Sequence, residues 1–247
     1  MAAKQSSYIM YGGERIEFTR VPRKNVSSRV MIKVHPDCRV VVHAPPEAPG
    51  DDVYDAVKKR ARWIRAQIRL FKAQLEHVSP RRFRSGESHY YLGKQYMLKV
   101  VESPRDKPQV KLLRGHIEVT VRVKSKERVK ALVYDWYKVR AKDVFNRRLD
   151  VMLEQTLWVS GRPHIRLLSM KTQWGSCSPH GTLTLNPHLV KAPRECIDYV
   201  ILHELCHIAE HNHSDRFYRL MKQVMPMWEQ TKEKLDGMAS KLLNGIN

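Results

Sequence analysis

Nothing in this sequence approaches the run of roughly twenty apolar residues that a membrane-spanning helix needs, which argues against an integral membrane protein. The first residues, Met1-Ala2-Ala3-Lys4-Gln5-Ser6-Ser7, lack the apolar core of a secretory signal. Cysteine is scarce. Cys38, Cys177, Cys196 and Cys206 show neither C-x-x-C spacing nor the density of a disulfide framework. A reducing cytoplasm is therefore the expected compartment, with no membrane partner. Also missing are a Gly-rich phosphate loop, low-complexity tracts and evident internal repeats.

Acidic residues are in short supply too. Over the 247 residues, 25 Asp+Glu face 45 Lys+Arg, for a net charge of +20. The imbalance is uneven: residues 1–150 hold 34 basic against 16 acidic residues, and residues 151–247 hold 11 against 9. Such a field attracts polyanions, whether nucleic acid, nucleotides or an acidic protein. A solvated surface that aids solubility explains it equally well, because no recognition motif or aromatic-interleaved basic run marks a nucleic-acid module.

What is present reads as an α+β protein. Arg15–Thr19, Val30–Val34 and Arg39–His43 alternate like strands, with a Pro36-Asp37 turn between the last two. Asp51-Asp52 is placed to cap a helix carrying Val57, Ile64, Ile68, Phe71 and Leu75 on one face. Short strands follow at residues 90–92, 96–101, 109–113 and 116–121. From about Lys126 the period becomes helical, through Val129, Leu132, Val133, Trp136, Val144, Leu149 and Leu153, until Gly161-Arg162-Pro163 breaks it. Strands at 165–170 and 182–185 come next, and the chain closes on a helix expected to kink at Pro226. These patterns predict a basic β-rich N-terminal domain over residues 1–125 and a second domain over 126–247.

The most informative stretch is His203-Glu204-Leu205-Cys206-His207. Pro193 and Glu195 open a helix, and Ile197, Ile201, Leu205 and Ile208 form its apolar stripe. Two histidines four apart on a helix share a face, so both ring nitrogens reach one zinc ion while Glu204 stands beside the metal. An open tetrahedral site wants a third ligand. His211 continues the series but lies about 6 Å further along the axis; His213 is the better candidate, provided Asn212 reverses the chain in a left-handed conformation. The spacing His203, His207, His213 is that of extended His-rich metalloprotease motifs, except that Glu210 stands where those carry a Gly. A structural helix with incidental surface histidines is the competing account. Cys177 and Cys206 read as small buried hydrophobes, and His180 and His188 as surface residues of their loops.

Gln173-Trp174-Gly175-Ser176-Cys177-Ser178, Gly181–Asn186, Asp198–His207 and Asn212-His213-Ser214 with Phe217 together resemble the YgjP-like metal-dependent hydrolase family, relatives of the SprT-like zinc metallopeptidases. Ser28-Arg29, Trp63-Ile64, Ser85-Gly86-Glu87 and Tyr91-Leu92-Gly93-Lys94 extend the resemblance into the N-terminal half. Gln173 departs from the basic residue common there. The resemblance implies a zincin-like metallopeptidase domain with Zn2+ as cofactor. In that fold the strand at 182–185 would be the edge that holds an extended polypeptide.

Trp174, Gly175 and Ser176 are candidate substrate contacts, with a backbone N–H of this loop facing a developing oxyanion. The same chemistry serves a nucleotide: members of the family are also described as hydrolysing uridine triphosphate, for which Lys171 and Arg166 are candidate phosphate contacts. A nucleic-acid-binding protein with structural zinc is the third reading, though structural sites usually recruit cysteines rather than three histidines and a glutamate.

Overall fold

The computed structural model describes residues 5–22, 30–35, 38–76, 81–170 and 173–243. Contacts divide the chain into two compact units, Met1–Ser79 and Pro80–Asn247. The Ser28-Arg29 pair and the Pro36-Asp37 turn lie outside the described residues, as do the side chain of Leu75 and residue Lys171.

In the first unit, strands β1 (Gln5–Tyr11), β2 (Glu14–Pro22), β3 (Met31–Val34) and β4 (Val40–Ala44) precede helices α1 (Gly50–Lys59) and α2 (Ala61–Glu76). The sheet runs β1-β2-β4-β3, with β2 and β4 parallel and the outer pairs antiparallel. Alternation along each strand sends Ile16, Phe18, Val40, Val42 and Ala44 into a core closed by Val53, Val57, Ala61 and Ile64 of the helices. Burying each of the larger aliphatic groups contributes about 1.5–3 kcal/mol. Asp51 and Asp52 do not cap α1. The capping position is Pro49, with no side-chain bond, and the two carboxylates sit in the first turn, where the dipole favours them.

The second unit opens with β5 (Ser88–Tyr91), β6 (Lys94–Glu102), β7 (Gln109–Leu113) and β8 (His116–Val121), in the order β5-β6-β8-β7. Its pairing repeats that of the first sheet: antiparallel, parallel, antiparallel. The long helix α3 (Lys126–Leu153) follows, its first turn capped by the Ser125 hydroxyl, which accepts from the Arg128 N–H. Then come β9 (Ile165–Leu167), β10 (Gly175–Cys177), β11 (Leu183–Leu185), a 3-10 helix (Pro187–Lys191), α4 (Arg194–Ala209), α5 (Asp215–Val224) and α6 (Trp228–Leu243). The small third sheet is β10-β11-β9, antiparallel then parallel. Six helices and three small mixed sheets make the described residues α+β.

The expected boundary near 125 falls inside this second unit. Ile117, Val119 and Val121 of β8 share one core with Val133 and Phe145 of α3 and Ile197 and Ile201 of α4. The β5–β6 turn is bonded to the 3-10 helix through Leu92 N–H to the Val190 carbonyl (2.9 Å) and Gly93 N–H to the Lys191 carbonyl (3.1 Å). The Tyr137 hydroxyl of α3 donates to the Tyr90 carbonyl (2.7 Å). The β-rich stretch after residue 80 is thus the scaffold of the C-terminal helices. Pro226 ends one helix instead of kinking it: α5 stops at Val224 and α6 begins at Trp228. Among the described residues no helix is long and apolar enough to cross a membrane.

Candidate metal centre

Helix α4 starts after Pro193 and is anchored through Asp198, whose carboxylate accepts two bonds from Arg148 of α3 (2.6 and 2.8 Å). The stripe Ile197, Ile201 and Leu205 is fully buried. Burying that stripe turns the His203–His207 face toward the segment that follows the helix. The helix ends at Glu210 in extended backbone, and Asn212 is not among the described residues with positive φ, so the reversal differs from the left-handed turn expected. His213 precedes the Ser214 cap of α5, whose hydroxyl accepts from Phe217 N–H.

The three imidazoles converge. His213 Nε2 stands 3.1 Å from His203 Nε2, close to the roughly 3.3 Å between two nitrogens on a tetrahedral zinc. The ring centroids are 4.7–5.0 Å apart, and one ligand atom from each residue falls within 4.8 Å of the others. Phe217, fully buried, lies 4.7–4.9 Å from all three rings and forms an apolar floor. His207 Nδ1 is 3.1 Å from the Glu210 carbonyl; donating there leaves Nε2 as the lone-pair nitrogen. Burial first, and the neighbouring histidines second, push His203 down to about 3, so its ring is neutral at neutral pH. Three converging imidazoles on an apolar floor fit a borderline-soft divalent cation such as zinc.

Glu204 is only 5 % exposed, and burial raises its carboxyl to about 8, opposed by a hydrogen bond from the Cys177 backbone. Gly175 makes this possible. A Cβ at that position would meet Glu204 Oε1 at 2.7 Å, its Cγ at 2.9 Å and Val200 Cγ1 at 3.0 Å. The close approach expected of Gly175 is therefore an approach to Glu204.

The other sequence candidates are placed less centrally. Trp174 is half-buried against the core, and its carbonyl accepts from Asn186 N–H (2.8 Å). Ser176 is half-buried on β10, and alternation sends its side chain to the face opposite that of Gly175. Arg166 is exposed on β9, on the far side of β11 from β10. The strand at 182–185 is not an edge: β11 is paired on both sides, and the edge nearest Glu204 is β10. Burial holds Cys177 up to about 11 and Cys206 up to about 12, leaving both as thiols at neutral pH. His188, expected at the surface, is 4 % exposed beneath the Tyr134 ring.

Several contributors escaped the sequence reading. Asn186, fully buried, donates from its side chain to the Met170 and Gln173 carbonyls (2.7 and 3.2 Å) and so clips the loop that leads into β10. The Glu210 carbonyl and Cys177 N–H are backbone groups without sequence signature. Phe217 was visible only as part of a family pattern.

The sequence matches the family described as YgjP-like, metallopeptidase domain, over residues 28–238. Among solved structures it is similar to the metallopeptidase zymogen of Pyrococcus abyssi, abylysin, at 28 % identity over 41 % of this chain and 94 % of that one, with a TM-score of 0.33. It is also similar to the zymogen of Methanocaldococcus jannaschii, jannalysin, at 26 % identity over 39 % and 93 %, with a TM-score of 0.32. No curated protein matches this chain significantly.

Proposed function

The chain belongs to the YgjP-like metallopeptidase family, and on that premise we propose a zinc-dependent hydrolase that cleaves polypeptide, with His203, His207 and His213 holding the metal and Glu204 as general base. The observation that carries the reading is the convergence of three imidazole nitrogens within 4.8 Å beside a buried carboxylate. When bound, zinc supplies Lewis acidity toward a water and the scissile carbonyl. Glu204 takes the proton of the attacking water on a carboxylate oxygen and returns it to the leaving nitrogen. The Cys177 N–H, which lowers the proton affinity of the carboxylate, keeps it aimed. The Glu210 carbonyl fixes the His207 tautomer.

A polypeptide is favoured over a nucleotide by the edge of β10. Trp174 O and Ser178 N bond toward β11, so alternation turns the N–H and carbonyl of Gly175 outward, beside Glu204. An extended peptide pairing there would lie against the carboxylate. A triphosphate would instead need clustered cations, and Arg166 sits across the sheet from that edge.

The test is metal analysis and turnover on one purified preparation. About one zinc per chain is expected, and Glu204→Gln should retain it while losing about 10²–10⁴-fold in peptide cleavage. Unchanged turnover removes Glu204 as the base. Phosphate release from nucleoside triphosphates without cleavage of an unfolded polypeptide replaces the substrate.

A further inference from the structure

The first unit carries a feature that its topological counterpart lacks. After the last strand of the second unit's four-stranded sheet, α3 runs unbroken for 28 residues. After the same strand of the first unit, α1 stops at Lys59 and α2 restarts at Ala61. At that interruption lies an open cavity of about 500 Å³ lined by Lys59, Arg60, Arg62, Trp63 and Ala66. Trp63 is 43 % exposed, an indole presented to solvent with no acidic side chain in the lining.

The cations around it differ from their neighbours. Arg65 is held by Glu14 through two bonds (2.8 and 2.6 Å), and Arg69 lies 3.8 Å from the same carboxylate. Among the described residues, Lys59, Arg60 and Arg62 have no such carboxylate partner. Three unneutralised cations around an exposed aromatic face combine the two elements that hold an unpaired nucleotide strand: positive charge for the phosphates and a ring on which a base stacks. Duplex DNA hides its base faces, and a bilayer offers none.

We propose that this α1–α2 surface binds single-stranded nucleic acid, with Trp63 as the stacking platform and Lys59, Arg60 and Arg62 as phosphate contacts. The experiment is anisotropy of a labelled, mixed-sequence strand of about 16 nucleotides with the full chain. The strand should bind more tightly than a duplex of equal length, and affinity should fall steeply between about 50 and about 200 mM salt. Trp63→Ala should weaken binding about tenfold with the salt slope unchanged, and Trp63→Phe should recover most of it. Arg60→Gln combined with Arg62→Gln should lower the slope. His203→Ala should leave binding intact, which separates this surface from the metal centre. Equal affinity for the duplex, indifference to Trp63→Ala, or displacement of the strand by phosphatidylserine vesicles overturns the proposal.

Discussion

The two four-stranded sheets have one strand order and one pairing pattern, and each passes from its last strand into helix. Their first hairpins are also alike, Tyr11-Gly12-Gly13-Glu14 in one and Tyr91-Leu92-Gly93-Lys94 in the other. What the turns meet is different. In the second unit, Leu92 and Gly93 are bonded to the 3-10 helix and packed on Pro193, the residue from which α4 starts. In the first, a Cβ at Gly13 would touch nothing, and Glu14 engages the cations Arg65 and Arg69. Burial follows the same division. Among the described residues every buried charged or polar side chain, including His89, His188, Lys191 and Glu204, belongs to the second unit. One layout of strands occurs twice, and what its first turn docks on differs between the two units.

The comparison is sharpened most by Gly175, since none of the described glycines of the first unit approaches a carboxylate. Gly175→Ala places a methyl 2.7 Å from the present position of Glu204 Oε1, so the carboxylate must move. Displacement of a reacting group by about 1 Å costs about 10²-fold in rate. The expected outcome is that loss in turnover with unchanged zinc content, measured by kinetics and metal analysis. Wild-type turnover in this variant would detach Glu204 from the chemistry.

A pair of glycine substitutions then compares the turns directly. Gly93 and Gly13 both have positive φ (+78° and +77°), so alanine strains either backbone by about 1–2 kcal/mol. At Gly93 the new Cβ also meets Pro193 at 2.9–3.1 Å, including its backbone Cα, and overpacking adds about 1–3 kcal/mol. Chemical denaturation should show Gly93→Ala as the costlier change, with weaker metal retention; equal costs would mean that the turn does not support α4.

Much of this division was legible in the sequence, but by one route only. Periodicity gives α3 because its Val129, Val133 and Val144 recur at helical spacing, and the motif points to His203 and His207 because helical spacing puts i and i+4 on one face. His213 follows from coordination arithmetic, although its turn is made by extended Glu210 rather than by Asn212. The domain boundary was misplaced because a change of period from strand to helix marks a change of element, whereas the core is set by long-range contacts such as Tyr137 to Tyr90. The central place of β11 and the burial of His188 are likewise tertiary facts: pairing order and enclosure leave no local pattern. The shared topology of the two sheets was invisible because the layouts agree while the side chains do not repeat.

The last contrast between the units lies in acid sensitivity. Burial holds His89 and His188 down to about 3, so both stay neutral in the folded second unit well below their ordinary value of 6.5. Unfolding releases them to water, where each binds a proton below about 6.5. At these two sites the unfolded chain binds more protons between those limits, so their contribution to stability falls as pH drops from about 6.5 toward about 3. The first unit has no buried histidine among its described residues, so its opening should lack this dependence. Amide hydrogen exchange, corrected for intrinsic rates, reads the two separately: protection in α4 should fall across the window while that in β4 stays level. Parallel loss in both would show that the units open together, and level protection in both would mean that His89 and His188 take up their protons without unfolding.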